Sequence, residues 1–309
     1  MKGNIWTVFF TLFVAICSSM PVMAQNSTLR TIIVDPGHGL PDPGAKGNYS
    51  NESDIVLAVA KKLVDKLRDS LPGVRVLMTR TDRNLPGNLR DASDANRWRA
   101  KFANANHGDL FICIHVNDAP SVHHKEVVGY RTHVYYTGKG SRRRKHTRRT
   151  PRYRYWTTPS SAEGTETYVW AVNKNDSKQD FVQKNGDTEE LYGEKGDTTQ
   201  LMYSSTEEKI LASLRTKKYF SRSLLLANLI ENQYIRQGRS SRGVKQRNEV
   251  GIWVLQATAM PSILTEIGFL TNRENEDYMN SQSGQDQISS AIFNAVVQYK
   301  TQLDAGRVH

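Results

Sequence analysis

The stretch TIIVDPGHGLPDPGAKG, Thr31 to Gly47, decides the fold, because a predicted strand is followed directly by a segment in which neither a helix nor a strand can form. Its first four residues are β-branched and predict a buried strand. The glycines and prolines that follow end this strand and favour a rigid loop. His38 therefore stands at the tip of a strand, which is where open α/β sheets place their functional sites.

Strand-like and helix-like segments alternate after this loop. Apolar residues at four-residue steps from Ile55 to Leu67 predict a helix of about four turns that begins after Asn51. The β-α-β-α-β order implies an α/β fold with an open, mostly parallel, twisted sheet, helices on both faces and strand ends along one edge. Further strands are predicted at 74–79, 109–116, 164–171, 252–255 and 262–266, further helices at 91–106, 207–237 and 286–303, and a capping box at Thr271 and Glu274.

The composition is that of a soluble globular protein and not of a membrane protein. The chain has 309 residues, 38% of them hydrophobic, with a mean hydropathy of −0.58, which suggests one large domain with an insertion. Residues 1–24 are organised as a secretory signal peptide, with a basic start, an apolar run and a small-residue cleavage site that ends at Ala24. Its removal leaves Cys113 as the single cysteine, so we expect no internal disulfide and a buried, inert thiol.

The positive charge is concentrated in one segment. Lys139 to Arg154 contains nine Lys or Arg and no acid, in a chain whose net charge is +11. The run belongs to a basic insertion at about 121–163, and a polar insertion is predicted at about 173–205. A hairpin-like piece, Val127 to Thr137, leads into this run, and we expect the run itself to be a solvated basic loop, with a patch for an anionic polymer as the alternative. Nucleic acid is not an expected partner of an exported protein.

Four polar residues stand at strand ends or at a helix start, namely His38, Glu52, His115 and Glu266. Two histidines and one carboxylate are the ligand set of a catalytic zinc with an open fourth position. A second carboxylate is needed to take a proton from water and to pass it to a leaving nitrogen. The residue types leave structural roles open as well, because Glu52 could serve the helix dipole and the histidines could be loop or core residues. Signatures of serine, cysteine and P-loop enzymes are missing.

The segments IIVDPGHG, DPGAKG, NES, DLFICIHVN, GTETY, RGVKQ and PSILTEIGFLTNRENE occur in one order along the chain. From about residue 31 to 303 this series resembles the zinc-dependent N-acetylmuramoyl-L-alanine amidases of the amidase-3 family. The resemblance implies one Zn²⁺ per chain, held by His38, Glu52 and His115, with Glu266 as the catalytic acid/base. The chain departs from the family at Leu40, where a glycine is usual, at Cys113, where a serine is common, and in its long basic insertion.

The resemblance also implies a reaction and a setting. A catalytic domain at 28–304 would hydrolyse the amide between N-acetylmuramic acid and L-alanine in peptidoglycan. We expect an exported enzyme of the periplasm, with a secreted or cell-surface location as alternatives. An activator protein, or an anionic envelope polymer bound by Lys139 to Arg154, would be a further partner. A zinc carboxypeptidase acting on stem peptides and a non-catalytic envelope-binding protein of the same fold are the alternative functions.

Overall fold

A computed structural model describes residues 29–158, 160–186, 206–249 and 251–306. The predicted signal peptide and most of the polar insertion, residues 187–205, lie outside the described residues. Eight strands are described: β1 Thr31–Pro36, β2 Arg75–Met78, β3 Leu110–Asn117, β4 Val122–Thr137, β5 Arg144–Thr158, β6 Thr165–Tyr168, β7 Ser241–Lys245 and β8 Ser262–Phe269.

Six of these strands form one sheet in the order β2-β1-β3-β8-β6-β7. Strands β1, β2, β3 and β8 are parallel, whereas β6 runs antiparallel to β8 and β7 runs parallel to β6. The predicted mostly parallel α/β sheet is confirmed. The carboxyl ends of β1, β3 and β8 consequently meet at one edge, where open sheets of this kind bind ligands.

Helices cover both faces of the sheet. The described helices are α1 Glu52–Ser70, α2 Ala92–Ala105, α3 Asn175–Gly186, α4 Thr206–Arg236, α5 Trp253–Ala257, α6 Arg273–Asn280 and α7 Gln282–Asp304. Buried residues of α1, α4 and α7 pack on one face, against alternate strand residues such as Ile112 and Ile263. On the opposite face, α2 and α5 pack against Phe111, Cys113 and Leu264. Strand side chains alternate with a period of two, so His115 lies on the same face as Cys113. It is two residues closer to the carboxyl end of β3 and is not part of the apolar cluster that contains Cys113.

Two sequence predictions near the site are wrong. Residues 252–255 were expected to form a strand, but they lie at the start of helix α5, and the edge strand is Ser241–Lys245. A four-residue apolar run does not distinguish a strand from a short buried helix. The predicted capping residue Thr271 accepts a hydrogen bond from the backbone of Ala119 instead, and the neighbouring Asn272 caps α6 through the amide of Asn275.

The basic insertion is a long β-hairpin. The hairpin-like piece predicted at Val127 to Thr137 is part of its first strand, whereas the basic run forms the turn and the second strand and not the predicted loop. Strands β4 and β5 pair antiparallel over almost their whole length, with one bulge near Gly129. Cations stack on tyrosines of the same ribbon: Lys125 Nζ lies 3.8 Å from the Tyr153 ring centre, and the Arg149 guanidinium lies 4.9 Å from that of Tyr130. These pairs, together with many β-branched and aromatic residues, favour strands over a solvated loop despite the charge.

None of the helices in the described ranges is both long enough and apolar enough to cross a membrane.

Candidate metal centre

Three of the predicted site residues meet at the carboxyl edge of the sheet. His38 lies in the loop after β1, Glu52 is the first residue of α1 and His115 lies in β3. Their potential ligand atoms are all within 4.8 Å of one another. One Glu52 oxygen is 2.8 Å from His115 Nδ1 and the other is 3.3 Å from His38 Nε2. Ligands about 2.0–2.1 Å from a tetrahedral zinc lie roughly 3.3 Å apart, so the donor set and its spacing fit one zinc ion.

Two buried arginines hold the loop that carries His38. The Arg80 guanidinium donates to the carbonyl oxygens of Pro36 at 2.9 Å and of Gly37 at 2.7 Å. Arg99 Nη2 donates to the carbonyl of His38 at 2.7 Å. A loop rich in glycine and proline has no ladder partners for these carbonyls, so the arginines satisfy groups that would otherwise be buried without hydrogen bonds. The left-handed backbone of His38, with φ of 57°, is held in this way.

Asp35 holds Arg99, one of the two arginines that support the His38 loop. Its buried carboxylate accepts hydrogen bonds from Arg99 Nε at 2.8 Å, from Thr79 Oγ1 and from Cys113 Sγ at 3.0 Å. Burial alone would raise the pKa of Asp35. The charge of Arg99 and the hydrogen bonds from the Thr79 hydroxyl and the Cys113 thiol outweigh burial, and the pKa is lowered overall. Burial and the neighbouring carboxylate raise the pKa of Cys113 well above its ordinary value. Cys113 is therefore a buried, unreactive thiol, as predicted.

The imidazole of His38 is oriented by a second carboxylate. His38 Nδ1 lies 2.8 Å from Asp42 Oδ2, which turns Nε2 toward Glu52 and His115. Burial lowers the pKa of His38, but hydrogen bonds and charges of Glu52 and Asp42 raise it to about 9. Such an environment favours positive charge, and a divalent cation at Nε2 would experience the same field. A carboxylate behind a metal-binding histidine commonly fixes the ring and its tautomer.

Glu52 is held as a carboxylate. Its two oxygens accept hydrogen bonds from the backbone amides of Ala45 and Val116, both at 2.9 Å. Burial raises the pKa of Glu52, but the hydrogen bonds and charges of His115 and His38 lower it far below its usual range. The side chain thus faces the end of the first strand, rather than serving the helix dipole alone.

Two glycines make room for the three side chains. A Cβ atom at Gly37 would lie 2.3 Å from His115 Nε2, and one at Gly44 would lie 2.5 Å from Glu52 Oε2. Gly44 also has a φ of 68°, which side chains rarely adopt. Gly37 and Gly44 are therefore required by close packing against the site and, at Gly44, also by backbone conformation.

Glu266 is the fourth predicted residue and lies beside the cluster. It is the register partner of His115 across β3 and β8. Among the described residues, its buried Oε2 has no hydrogen-bond partner, and Arg247 Nη2 is 3.8 Å from its Oε1. Burial, with the nearby charge of Glu52, outweighs His115 and Arg247 and raises the pKa of Glu266 to about 7. A carboxyl group with this pKa can both accept and donate a proton near neutral pH.

Glu276, which sequence reasoning missed, clamps the loop that precedes Glu52. Its carboxylate accepts hydrogen bonds from the amides of Asn48, Tyr49 and Ser50 and from the side chains of Asn48 and Ser50, at 2.7–3.1 Å. Burial raises the pKa of Glu276, but these hydrogen bonds lower it to about 2. In the sequence, this region stands out only through the segment TNRENE, which belongs to the family resemblance. The hydrogen-bond partners of Glu276 lie more than 220 residues away along the chain, so no local pattern could reveal its role.

Glu276→Gln should destabilise the metal-free protein in a pH-dependent way. The pKa of Glu276 in the folded protein, about 2, lies below its ordinary value of 4.5, so the carboxylate contributes stability above about pH 4.5 that is lost as the pH falls toward 2. At pH 7 we expect the substitution to lower the free energy of unfolding by about 1.5–3 kcal/mol, the usual contribution of hydrogen bonds to a charged group. Urea unfolding of both proteins at pH 7 and pH 3 should show a large difference that shrinks with acidification. The exposed Glu274→Gln on the same helix is the control, and a pH-independent difference would contradict the clamp.

Comparison with known proteins places the chain among cell-wall amidases. A profile of the N-acetylmuramoyl-L-alanine amidase family matches residues 32–298. An uncharacterized cell wall amidase of Bacillus anthracis is 26% identical over 277 residues, which are 89% of this chain and 36% of that protein. The amidase AmiA of Salmonella typhimurium is 25% identical, over 94% of this chain and 83% of that protein.

A solved structure shares the fold. The N-acetylmuramoyl-L-alanine amidase from Clostridium difficile 630 superposes with a TM-score of 0.53 at 22% identity, over 88% of this chain and 97% of that chain. The family profile spans β1 to α7 and thus includes the whole sheet and all four site residues. The chain therefore belongs to the N-acetylmuramoyl-L-alanine amidase family.

Proposed function

We propose that this protein is an exported zinc hydrolase that cleaves the amide between N-acetylmuramic acid and L-alanine in peptidoglycan. One observation carries the proposal: two imidazoles and a carboxylate converge within 4.8 Å beside a buried glutamate. Membership of the amidase family supplies the substrate class. His38, Glu52 and His115 would hold the zinc ion, one per chain.

Bound zinc would polarise the scissile carbonyl and lower the pKa of water toward about 7. In this proposal Glu266 accepts a proton from the attacking water, a role supported by its buried Oε2, which has no hydrogen-bond partner among the described residues. The same carboxyl group then donates that proton to the alanine nitrogen as the C–N bond breaks. Asp42 keeps the His38 ring in one orientation throughout.

The reaction products separate this proposal from its two alternatives. An amidase leaves the glycan intact and frees peptides with an amino-terminal alanine. A zinc carboxypeptidase releases a single amino acid from the other end of the peptide, and a binding protein releases nothing. Mass spectrometry of peptidoglycan digested with the zinc-loaded protein distinguishes all three, and release of a carboxyl-terminal amino acid alone would refute the amidase proposal.

The hairpin of β4 and β5 supports a second part of the proposal, contact with an anionic envelope polymer. Arg144, Arg148 and Arg152 are four residues apart along β5, an even spacing, and therefore share one face of the ribbon. All three side chains are exposed. An extended row of guanidinium groups suits a flexible polyanion, while an activator protein is the alternative occupant.

Replacing Arg144, Arg148 and Arg152 together with Gln should weaken binding to purified cell walls about tenfold at low salt, at roughly 0.5 kcal/mol for each exposed charge pair. High salt should remove the difference by screening. Sedimentation with insoluble walls measures the bound fraction. The triple variant Arg83→Gln, Arg97→Gln and Lys62→Gln, made at ion-paired surface sites, is the matched control. Equal binding by both variants would exclude this role.

A further inference from the structure

A row of side chains extends from the metal centre across the open face of the sheet. Glu266 is the register partner of His115 on one side and of Glu166 on the other. Register partners on neighbouring strands point to the same face and lie about 4.8 Å apart. Glu166 is therefore about 10 Å from the His115 position, on the side of β6 and β7.

Glu166 itself is an anchor and not a second acid/base. Its carboxylate accepts hydrogen bonds from Lys245 Nζ at 2.7 Å, from Arg242 Nε and from Asn117 Nδ2 at 3.2 Å, in addition to the Tyr168 hydroxyl. Its side chain is only 4% exposed. Four donors saturate both oxygens, so the group fixes its neighbours in place.

The neighbours it fixes present positive charge to the solvent. The side chains of Arg242 and Lys245 are 43% and 34% exposed, and that of Arg247, next to Glu266, is 50% exposed. The two carboxylates below them, Glu166 and Glu266, are almost fully covered. A ligand that approaches the site from this side therefore meets three cations and very little negative charge.

Two of these guanidinium groups are also held in fixed planes. Arg242 Nε donates a hydrogen bond to Glu166, and the guanidinium lies 5.2 Å from the ring centre of Phe269. No hydrogen bond from its two terminal nitrogens is found within the described part of the chain, so both can bind a ligand. The Arg247 guanidinium lies 4.9 Å from the ring centre of Tyr168. A planar, preorganised guanidinium matches the two oxygens of a carboxylate.

We propose that Arg242, Lys245 and Arg247 form a carboxylate-binding subsite for the peptide part of the substrate. The inference rests on the proposed function and deepens it. Arg242 and Lys245 contact the carboxylate of Glu166, whose strand position is about 10 Å from that of His115. An extended peptide advances about 3.3–3.6 Å per residue, so a span of about 10 Å corresponds to two to three residues beyond the cleaved amide. The subsite would thus select peptides that carry a free carboxylate at that distance, and would place the amino-terminal alanine next to Glu266.

Two soluble muramoyl peptides test the subsite, one with an acidic second residue and one with that side carboxylate converted to a primary amide. The zinc-loaded wild-type protein should cleave the acidic substrate with a kcat/KM about tenfold to hundredfold higher, as expected for a charge-assisted hydrogen bond. The difference should lie mainly in KM. Because this comparison needs no variant, it does not depend on how a substitution affects folding.

Arg242→Gln should then remove most of this preference by raising KM for the acidic substrate alone. Arg242→Lys should restore part of it, whereas Arg97→Gln on the surface of α2 should change neither substrate. Equal kcat/KM of the wild-type protein for both substrates would overturn the subsite and leave the amidase proposal standing. Failure of the zinc-loaded protein to cleave either substrate would overturn the proposed function, and the subsite with it.

Discussion

Glu266→Gln is expected to lower the rate of amide hydrolysis by roughly 10²–10⁴-fold, the usual contribution of a general acid/base. The amide has nearly the shape of the carboxyl group but cannot take a proton from water and return it to nitrogen. Because Glu266 is not one of the three clustered ligand candidates, the variant should bind zinc as the wild-type protein does. Single-turnover hydrolysis and zinc titration of the same preparation measure both quantities.

The surface substitution Glu274→Gln provides the control for Glu266→Gln. It makes the same chemical change on an exposed residue of α6, and it should leave hydrolysis unaltered. Cleavage by Glu266→Gln at the wild-type rate would show that another group carries the proton.

Glu52→Gln should lose zinc and activity together, because it removes the carboxylate that lies between the two histidines. An outer carboxylate behind a ligand typically contributes 10–100-fold to metal affinity, so Asp42→Asn should weaken zinc binding by about that factor. Glu52→Gln should weaken it further, since a neutral amide is a poor zinc ligand. Competition with a chromophoric chelator measures the two affinities on one scale.

The order of these two effects is the decisive result. If Asp42→Asn reduced zinc affinity as much as Glu52→Gln, Glu52 would not be a zinc ligand. Its position between the two histidines would then serve only the hydrogen bonds that hold the loop. Thermal unfolding of each metal-free variant controls for damage to the fold, which the backbone contacts of Glu52 with Ala45 and Val116 make a necessary check.

Much of the fold was predictable, because its main elements have local signals. The β-branched run that begins at Thr31 forms β1, and the four-residue apolar period after Asn51 forms α1. Parallel order then brings the ends of β1 and β3 to one edge, which is why His38, Glu52 and His115 could be expected to lie close together. Their convergence follows from topology, while their role as ligands remains a proposal.

Other features depended on tertiary contacts that leave no local signal. The run at 252–255 is too short to separate helix from strand, and β7 contains a glycine with a φ of 80°, which obscures its pattern. In the insertion, the alternating residues of Val127 to Thr137 predict hairpin character, but the density of positive charge after Lys139 favours a loop and conceals the second strand. Glu166 acts through Arg242 and Lys245, which are 76 and 79 residues away along the chain, so no sequence spacing could identify it. Asp42 is only four residues from His38, but the loop that contains both has no regular period from which their contact could be read.

The most direct test of the account is the metal dependence of peptidoglycan cleavage by the protein without its first 24 residues. Purified peptidoglycan is digested with the protein as isolated, after removal of metal by a chelator, and after zinc is returned, and the products are read by mass spectrometry. The account predicts peptides with a free amino-terminal alanine that disappear with the chelator and return with zinc. Cleavage that is indifferent to the chelator, or its absence in a folded, zinc-loaded protein, would contradict the account.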